Sequence, residues 1–273
     1  MSPLQPDHVD EREVVVSVRI AAQLSTVWSF FSDADRFAAW IGAYAGGPPQ
    51  AGTSVDPRIG GRIRVCYPGP SGSVSGGRIT AIEPMTRVEF TWGYESGQPG
   101  IPPESTRVEI RLFEDEDGTR VELRHTGLPT PDARRSHLGG WKHYLSMLAR
   151  ASSDAQHSGA LLETLDAYYR AWSERDESAR RALLQRCCEP DVRVRTSWAC
   201  TDGIDTLSAH IANSLNHMPG LSLGGAAAPT CLHGYARAAW AVKSPDGKEV
   251  FRGVNFVRLS LRGKISNVVS FAE

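Results

Sequence analysis

Apolar positions along this chain switch between two spacings, and the switches divide it into elements. Val14-Val15-Val16-Ser17-Val18-Arg19-Ile20 is β-branched and bounded by charge, the signature of a strand. Ser25 then reads as an N-cap, and Val27, Trp28, Phe30 and Phe31 as a short apolar helix ending near Ser32-Asp33. A second helical turn carries Phe37, Trp40 and Ile41, and the Gly- and Pro-rich residues 42–57 read as loop. Strands are predicted over 62–67, 77–82, 87–92, 107–113 and 120–125, with Asp115-Glu116-Asp117-Gly118 as the hairpin turn between the last two. Residues 93–105 hold too many Gly and Pro for a strand and read as a flap. After Pro131 the spacing becomes helical, with Leu138, Trp141, Leu145 and Leu148 on one stripe.

The second half reverses the order. One helix shows the stripe Leu161, Leu165, Tyr168 and Trp172, a second covers about 177–188 and is stopped by Glu189-Pro190-Asp191, and a third spans 203–217. Residues 192–198 alternate as a strand. Three or four strands follow, near 221–223, 231–242, 250–261 and 264–271. Strands closed by a long helix, then helices closed by strands, predict two different α+β domains. The expected bounds are a disordered tail over 1–13, a first domain over 14–150, a small polar linker over 151–158 and a second domain over 159–273.

Composition narrows the function classes. Of 273 residues, 41% are hydrophobic and 22% charged, in the range of a globular protein. With 30 Lys+Arg against 31 Asp+Glu the net charge is -1, so no field gathers nucleic acid or anionic lipid, and neither is expected as a partner. No apolar run reaches the roughly 20 residues of a membrane span, and the acidic start lacks a signal pattern. The cysteines, Cys66, Cys187, Cys188, Cys200 and Cys231, show no metal-binding spacing and read as reduced thiols in a cytoplasmic protein. There is no Walker loop, Rossmann glycine pattern or zinc motif, so neither cofactor nor metal is expected.

Several spaced motifs carry a resemblance. Ser25-Thr26-Val27-Trp28, Trp40, Gly60-Gly61, Gly77-Arg78-Ile79 and Phe90-Thr91-Trp92 are followed by Gly118-Thr119-Arg120-Val121, His125-Thr126-Gly127-Leu128 and Gly140-Trp141. Through these the first half resembles the SRPBCC/START-like superfamily, in the branch of homologues of the activator of the heat-shock-chaperone ATPase. That implies a helix-grip fold, an antiparallel sheet wrapped on a long C-terminal helix. The second half is similar to the nuclear-transport-factor-two-like, SnoaL-like family, through Tyr168-Tyr169-Arg170-Ala171-Trp172, Pro190-Asp191-Val192, Gly263-Lys264-Ile265 and Phe271-Ala272-Glu273. Here the resemblance implies a cone-shaped α+β barrel that pairs as a homodimer through its sheet. Both families imply an internal hollow, and fold alone names no reaction.

The expected function is therefore binding of an apolar or aromatic small molecule in one or both hollows. Trp40, Trp92, Trp141 and Tyr144 are the ligand candidates of the first domain, each weighed against a plain core role. Tyr168, Trp172, Trp198 and Asn255 are those of the second. Asn255 shares a strand face with Val257 and Leu259 where relatives often carry an acid, and an amide cannot shuttle protons. The alternative is a cyclase, isomerase or hydrolase on a cyclic metabolite, using His125 in the first hollow or His210 and Glu273 in the second. Asp202 reads as the cap of the third helix of this half. A chaperone co-regulatory role is a third reading, resting on the family name of the first half.

Overall fold

The structure is a computed structural model that describes residues 7–43, 47–68, 72–96 and 99–273. It divides into two compact units, Met1–Ser153 and Asp154–Glu273.

In the first unit β1 (His8–Val9) and β2 (Glu13–Ile20) lead into α1 (Leu24–Ser32) and α2 (Ala34–Ile41). Six strands follow: β3 (Ser54–Val55), β4 (Arg62–Cys66), β5 (Val74–Glu83), β6 (Arg87–Tyr94), β7 (Thr106–Asp115) and β8 (Gly118–Thr126). They form one antiparallel sheet in the order β1-β2-β8-β7-β6-β5-β4-β3. Helix α3 (Pro131–His157) closes the unit. Period-two alternation puts Val14, Val16, Val108, Ile110, Phe90, Ile79, Leu123 and Val121 on the buried face. The stripe Trp141, Leu145 and Leu148 of α3 belongs to the same core.

Four expectations are corrected here. The 1–13 tail is structured from His8, which pairs with Val15 in a hairpin closed by the Asp10 carboxylate on the Arg12 and Glu13 amides; residues 1–6 lie outside the described residues. Helix α1 starts at Leu24 after Gln23, so Ser25 lies inside it and caps nothing, whereas Asp33 caps α2 by accepting from the Arg36 amide. The loop over 42–57 contains β3, which pairs with β4. The linker expected over 151–158 is helical through His157 as the end of α3, and the boundary between the units, after Ser153, falls inside those bounds.

After the end of α3, the second unit continues with α4 (Leu161–Ala171) and α5 (Glu177–Cys187), the latter capped by Asp176 accepting from the Ala179 amide. Strand β9 (Cys188–Arg195) begins at the next residue and carries Pro190 where its parallel pairing with the last strand slips register, the place a strand tolerates proline. A short strand β10 (Cys200–Asp202) precedes α6 (Ile204–His217). Next come β11 (Ser222–Gly225), β12 (Thr230–Leu232), β13 (Tyr235–Lys243), β14 (Glu249–Leu259) and β15 (Ile265–Ala272). The sheet order is β10-β9-β15-β14-β13-β11, with β12 also on β13. The single strand expected over 231–242 is two, because His233 and Gly234 both take positive φ and turn the chain. Asp202 does not cap α6; Gly203 stands at that position, and the Asp202 carboxylate pairs with Arg195.

Candidate functional site: an uncharged cavity in the second unit

Ladder register decides which side chains of the second sheet face its helices. Ala238, Asn255 and Ser270 stand opposite one another on β13, β14 and β15, and Trp240 stands opposite Gly253. Gly253 is required there. A Cβ would lie 2.1 Å from the Phe271 carbonyl oxygen and 2.5 Å from the Trp240 ring, so glycine lets the indole lie across the strand. The Trp240 Nε1–H donates to Ser270 Oγ at 3.1 Å and fixes the ring in place.

Trp240, Asn255 and Ser270 form one wall of a cavity of about 600 Å³, a usual size for a small-molecule site. Helix α6 supplies a second wall: His210, Asn213, Ser214 and His217 recur at helical spacing and line it. Tyr168 and Trp172 come from the end of α4, and Thr196 and Trp198 from the turn joining β9 to β10. Among the described residues lining the cavity there is no Asp, Glu, Lys or Arg.

Burial sets the protonation of what remains. His210 packs edge-on against Trp172 at 5.7 Å, and desolvation lowers its pKa, which favours the neutral imidazole. Burial raises the Tyr168 and Tyr169 phenols, so both are neutral; the Asn255 amide beside Tyr169 opposes part of that rise. The Tyr169 hydroxyl lies beside the Asn255 amide, and the buried Trp172 indole N–H beside the Tyr168 hydroxyl, neither pair at full hydrogen-bond geometry. The cavity can hold a neutral guest and offer it hydrogen bonds, and its described lining residues include no carboxylate to drive proton transfer.

The structure gathers four of the sequence-derived ligand candidates, Tyr168, Trp172, Trp198 and Asn255, around this one space, with His210 beside them. Glu273 is not among them. It follows Phe271 and Val269 on the opposite face of β15, exposed, with its backbone N–H donating to the Arg252 carbonyl at 3.0 Å. The sequence reading missed Trp240, Ser270, Phe251 and Met218. Trp240 shares strand parity with Ala238, a signal that was available once β13 was placed; the others needed the pairing.

Trp40, Trp92, Trp141 and Tyr144 of the first unit belong to its core. Trp40 stacks on Phe37 at 5.4 Å and donates to the Phe30 carbonyl, and Trp92 and Trp141 pack at 5.2 Å. His125 is fully buried with both ring nitrogens engaged. The Trp141 indole N–H donates to Nδ1 at 2.9 Å, so the proton sits on Nε2, which donates to Thr106 Oγ1 at 2.8 Å. Thr106 in turn donates to the Trp92 carbonyl. Desolvation, with the neighbouring His137 second, pushes the His125 pKa down to about 3. Such a residue holds the core together and has no free nitrogen for catalysis.

One trio, half-buried His8 and Glu13 with exposed Asp10, brings three potential metal-ligand atoms close together, but the Asp10 carboxylate is already used by the β1–β2 turn. The adjacent thiols Cys187 and Cys188 are free and buried, with sulfurs 3.7 Å apart. No helix among the described residues is long and apolar enough to cross a membrane.

The two units therefore define a helix-grip domain followed by a cone-type α+β domain. Residues 21–152 match the family model described as Activator of Hsp90 ATPase homolog 1-like protein. The first half of the chain resembles that family, and the second half resembles the SnoaL-like family. No curated protein matches. Among solved structures, a candidate isomerase of the SnoaL-like family from Agrobacterium tumefaciens is 29% identical, with a TM-score of 0.40, covering 42% of this chain and 98% of that one. CalU16 from Micromonospora echinospora is 28% identical, TM-score 0.37, covering 50% and 71%. An AHSA1-like protein from Rhizobium etli is 26% identical, TM-score 0.38, covering 52% and 81%.

Proposed function

We propose that the second unit binds a neutral, largely apolar small molecule, aromatic or alicyclic, in the cavity between α6 and the sheet. The observation that carries this reading is a hollow of about 600 Å³ whose described lining residues are aromatic and aliphatic side chains interleaved with hydroxyl, amide and imidazole groups, with no Asp, Glu, Lys or Arg among them and one buried amide, Asn255. A charged guest would give up its hydration with no opposite charge to receive it. An apolar guest gains roughly 25 cal/mol for each Å² it removes from water. The reading is tested on the full chain by native mass spectrometry of freshly purified protein and by titration with polycyclic aromatic fluorophores. Saturable binding that Trp240→Ala weakens at least tenfold is the expected result. Binding that Trp240→Ala leaves untouched would locate the guest elsewhere and overturn the assignment.

A second reading, isomerase or cyclase chemistry, is favoured by one observation: His210 lines the cavity, and burial favours its basic form. As base it would give a rate that falls below the imidazole pKa and is lost in His210→Gln. Turnover of a bound cyclic ketone or lactone that survives this change would remove the role.

A further inference from the structure

The cavity is graded from bottom to mouth. Asn255 and Tyr168 are 3% and 2% exposed, while Trp198, Phe251 and Met218 line the same space at 70%, 45% and 37% exposure. The last three come from three separate places, the β9–β10 turn, β14 and the residue after α6. Hydrogen-bonding capacity thus reaches the deepest part, and three large apolar side chains stand partly exposed to water around the entrance. A soluble protein holds big apolar groups in water at one site when something covers them there.

At the bottom, the Asn255 side chain offers a carbonyl oxygen and two N–H donors. Its strand neighbours on the inner face are Ala238, which has no polar side chain, and Ser270, whose hydroxyl already accepts from Trp240. The Tyr169 hydroxyl beside it is buried and unpaired. Buried polar groups in this state cost free energy until a partner arrives.

Resting on the binding reading above, we propose that the ligand enters head first. A neutral hydroxyl or carbonyl group at its leading end pairs with Asn255, and an apolar body extends to the mouth, where Trp198, Phe251 and Met218 cover it. A carboxylate or ammonium head is disfavoured, because it would reach the floor without a counter-charge.

The test titrates the full chain with four probes that share one apolar body: pyrene, pyrenemethanol, pyrenecarboxylate and the trimethylammonium derivative. Pyrenemethanol is expected to bind about tenfold tighter than pyrene, the worth of one well-made buried hydrogen bond, with both charged probes weaker than pyrene. In Asn255→Leu, a near-isosteric change, the preference for the alcohol over pyrene disappears. In Trp198→Ala, pyrene and pyrenemethanol both weaken by a similar factor and the preference stays. Circular dichroism confirms that the variants fold, and the wild-type ranking stands without them. Pyrene binding with no gain from the hydroxyl, or with a charged probe ranked first, overturns the head-first inference and leaves the cavity reading intact. Failure of all four probes to bind overturns both.

Discussion

At the scale of single residues, burial decides what a side chain can do. His125 and His210 are both neutral, for different uses: one has spent both nitrogens inside a core, the other faces a hollow. The first makes stability depend on pH. Its pKa lies near 3 when folded and near 6.5 when unfolded, so below about pH 6.5 the unfolded chain takes up a proton that the native one refuses. The stabilisation is complete above the unfolded pKa and is lost as pH falls from there toward 3, at up to about 1.4 kcal/mol per pH unit. Urea unfolding of the first unit at pH 7.5, 5.5 and 4.5 should show this decline. His125→Leu should leave the Trp141 N–H and the Thr106 hydroxyl unpaired, destabilise by about 2–4 kcal/mol and flatten the decline. An unchanged slope in that variant would assign the pH dependence to His137 and other groups. The imidazole was visible in the sequence; its partners, Thr106 and Trp141, lie nineteen and sixteen positions away and meet it only through pairing and packing.

Elements show what local rules reach and where they stop. Alternation along β14 correctly put Asn255, Val257 and Leu259 on one face, because side-chain direction in a strand follows parity alone. Helical spacing likewise put His210 and His217 together on α6. Caps were read less well. Ser25 and Asp202 have cap-type side chains, yet α1 begins one residue earlier, and the Asp202 carboxylate is taken by Arg195. Glycine substitutions separate the two kinds of position. Gly253→Ala should cost roughly 1–3 kcal/mol, because its methyl meets the Phe271 carbonyl and the Trp240 ring. It should also weaken cavity binding by displacing that ring. Gly139→Ala in α3 meets nothing within 4 Å and should stabilise by about 0.5–1 kcal/mol through helix propensity. Thermal denaturation of both variants checks the contrast, and equal effects would contradict it.

On the scale of the whole molecule, the described residues form two hydrophobic cores, one in each unit. A cavity ligand should then act on one of them. At a free concentration of a hundred times Kd, pyrene is expected to stabilise the second unit by about 2.7 kcal/mol and leave the first where it was. Differential scanning calorimetry with and without ligand would show one transition moving. Equal movement of both would mean that the units unfold as one, and the assignment of ligand stabilisation to a single core would fail.

The long elements, their order and the two-domain plan follow from the sequence alone, because helix and strand impose periods on apolar residues, whereas two- and three-residue strands such as β1, β3 and β12 are too short to show one. The kinds of side chain available to line a cavity, aromatic rings and one inward amide, were readable in the same way. Tertiary structure decided which aromatics enclose space and which fill it. Trp141 and Trp172 lie on comparable helical stripes, yet the first is packed solid against Trp92 and the second borders a hollow. That difference comes from the register between strands and the reach of side chains far apart in sequence, neither of which any local period encodes.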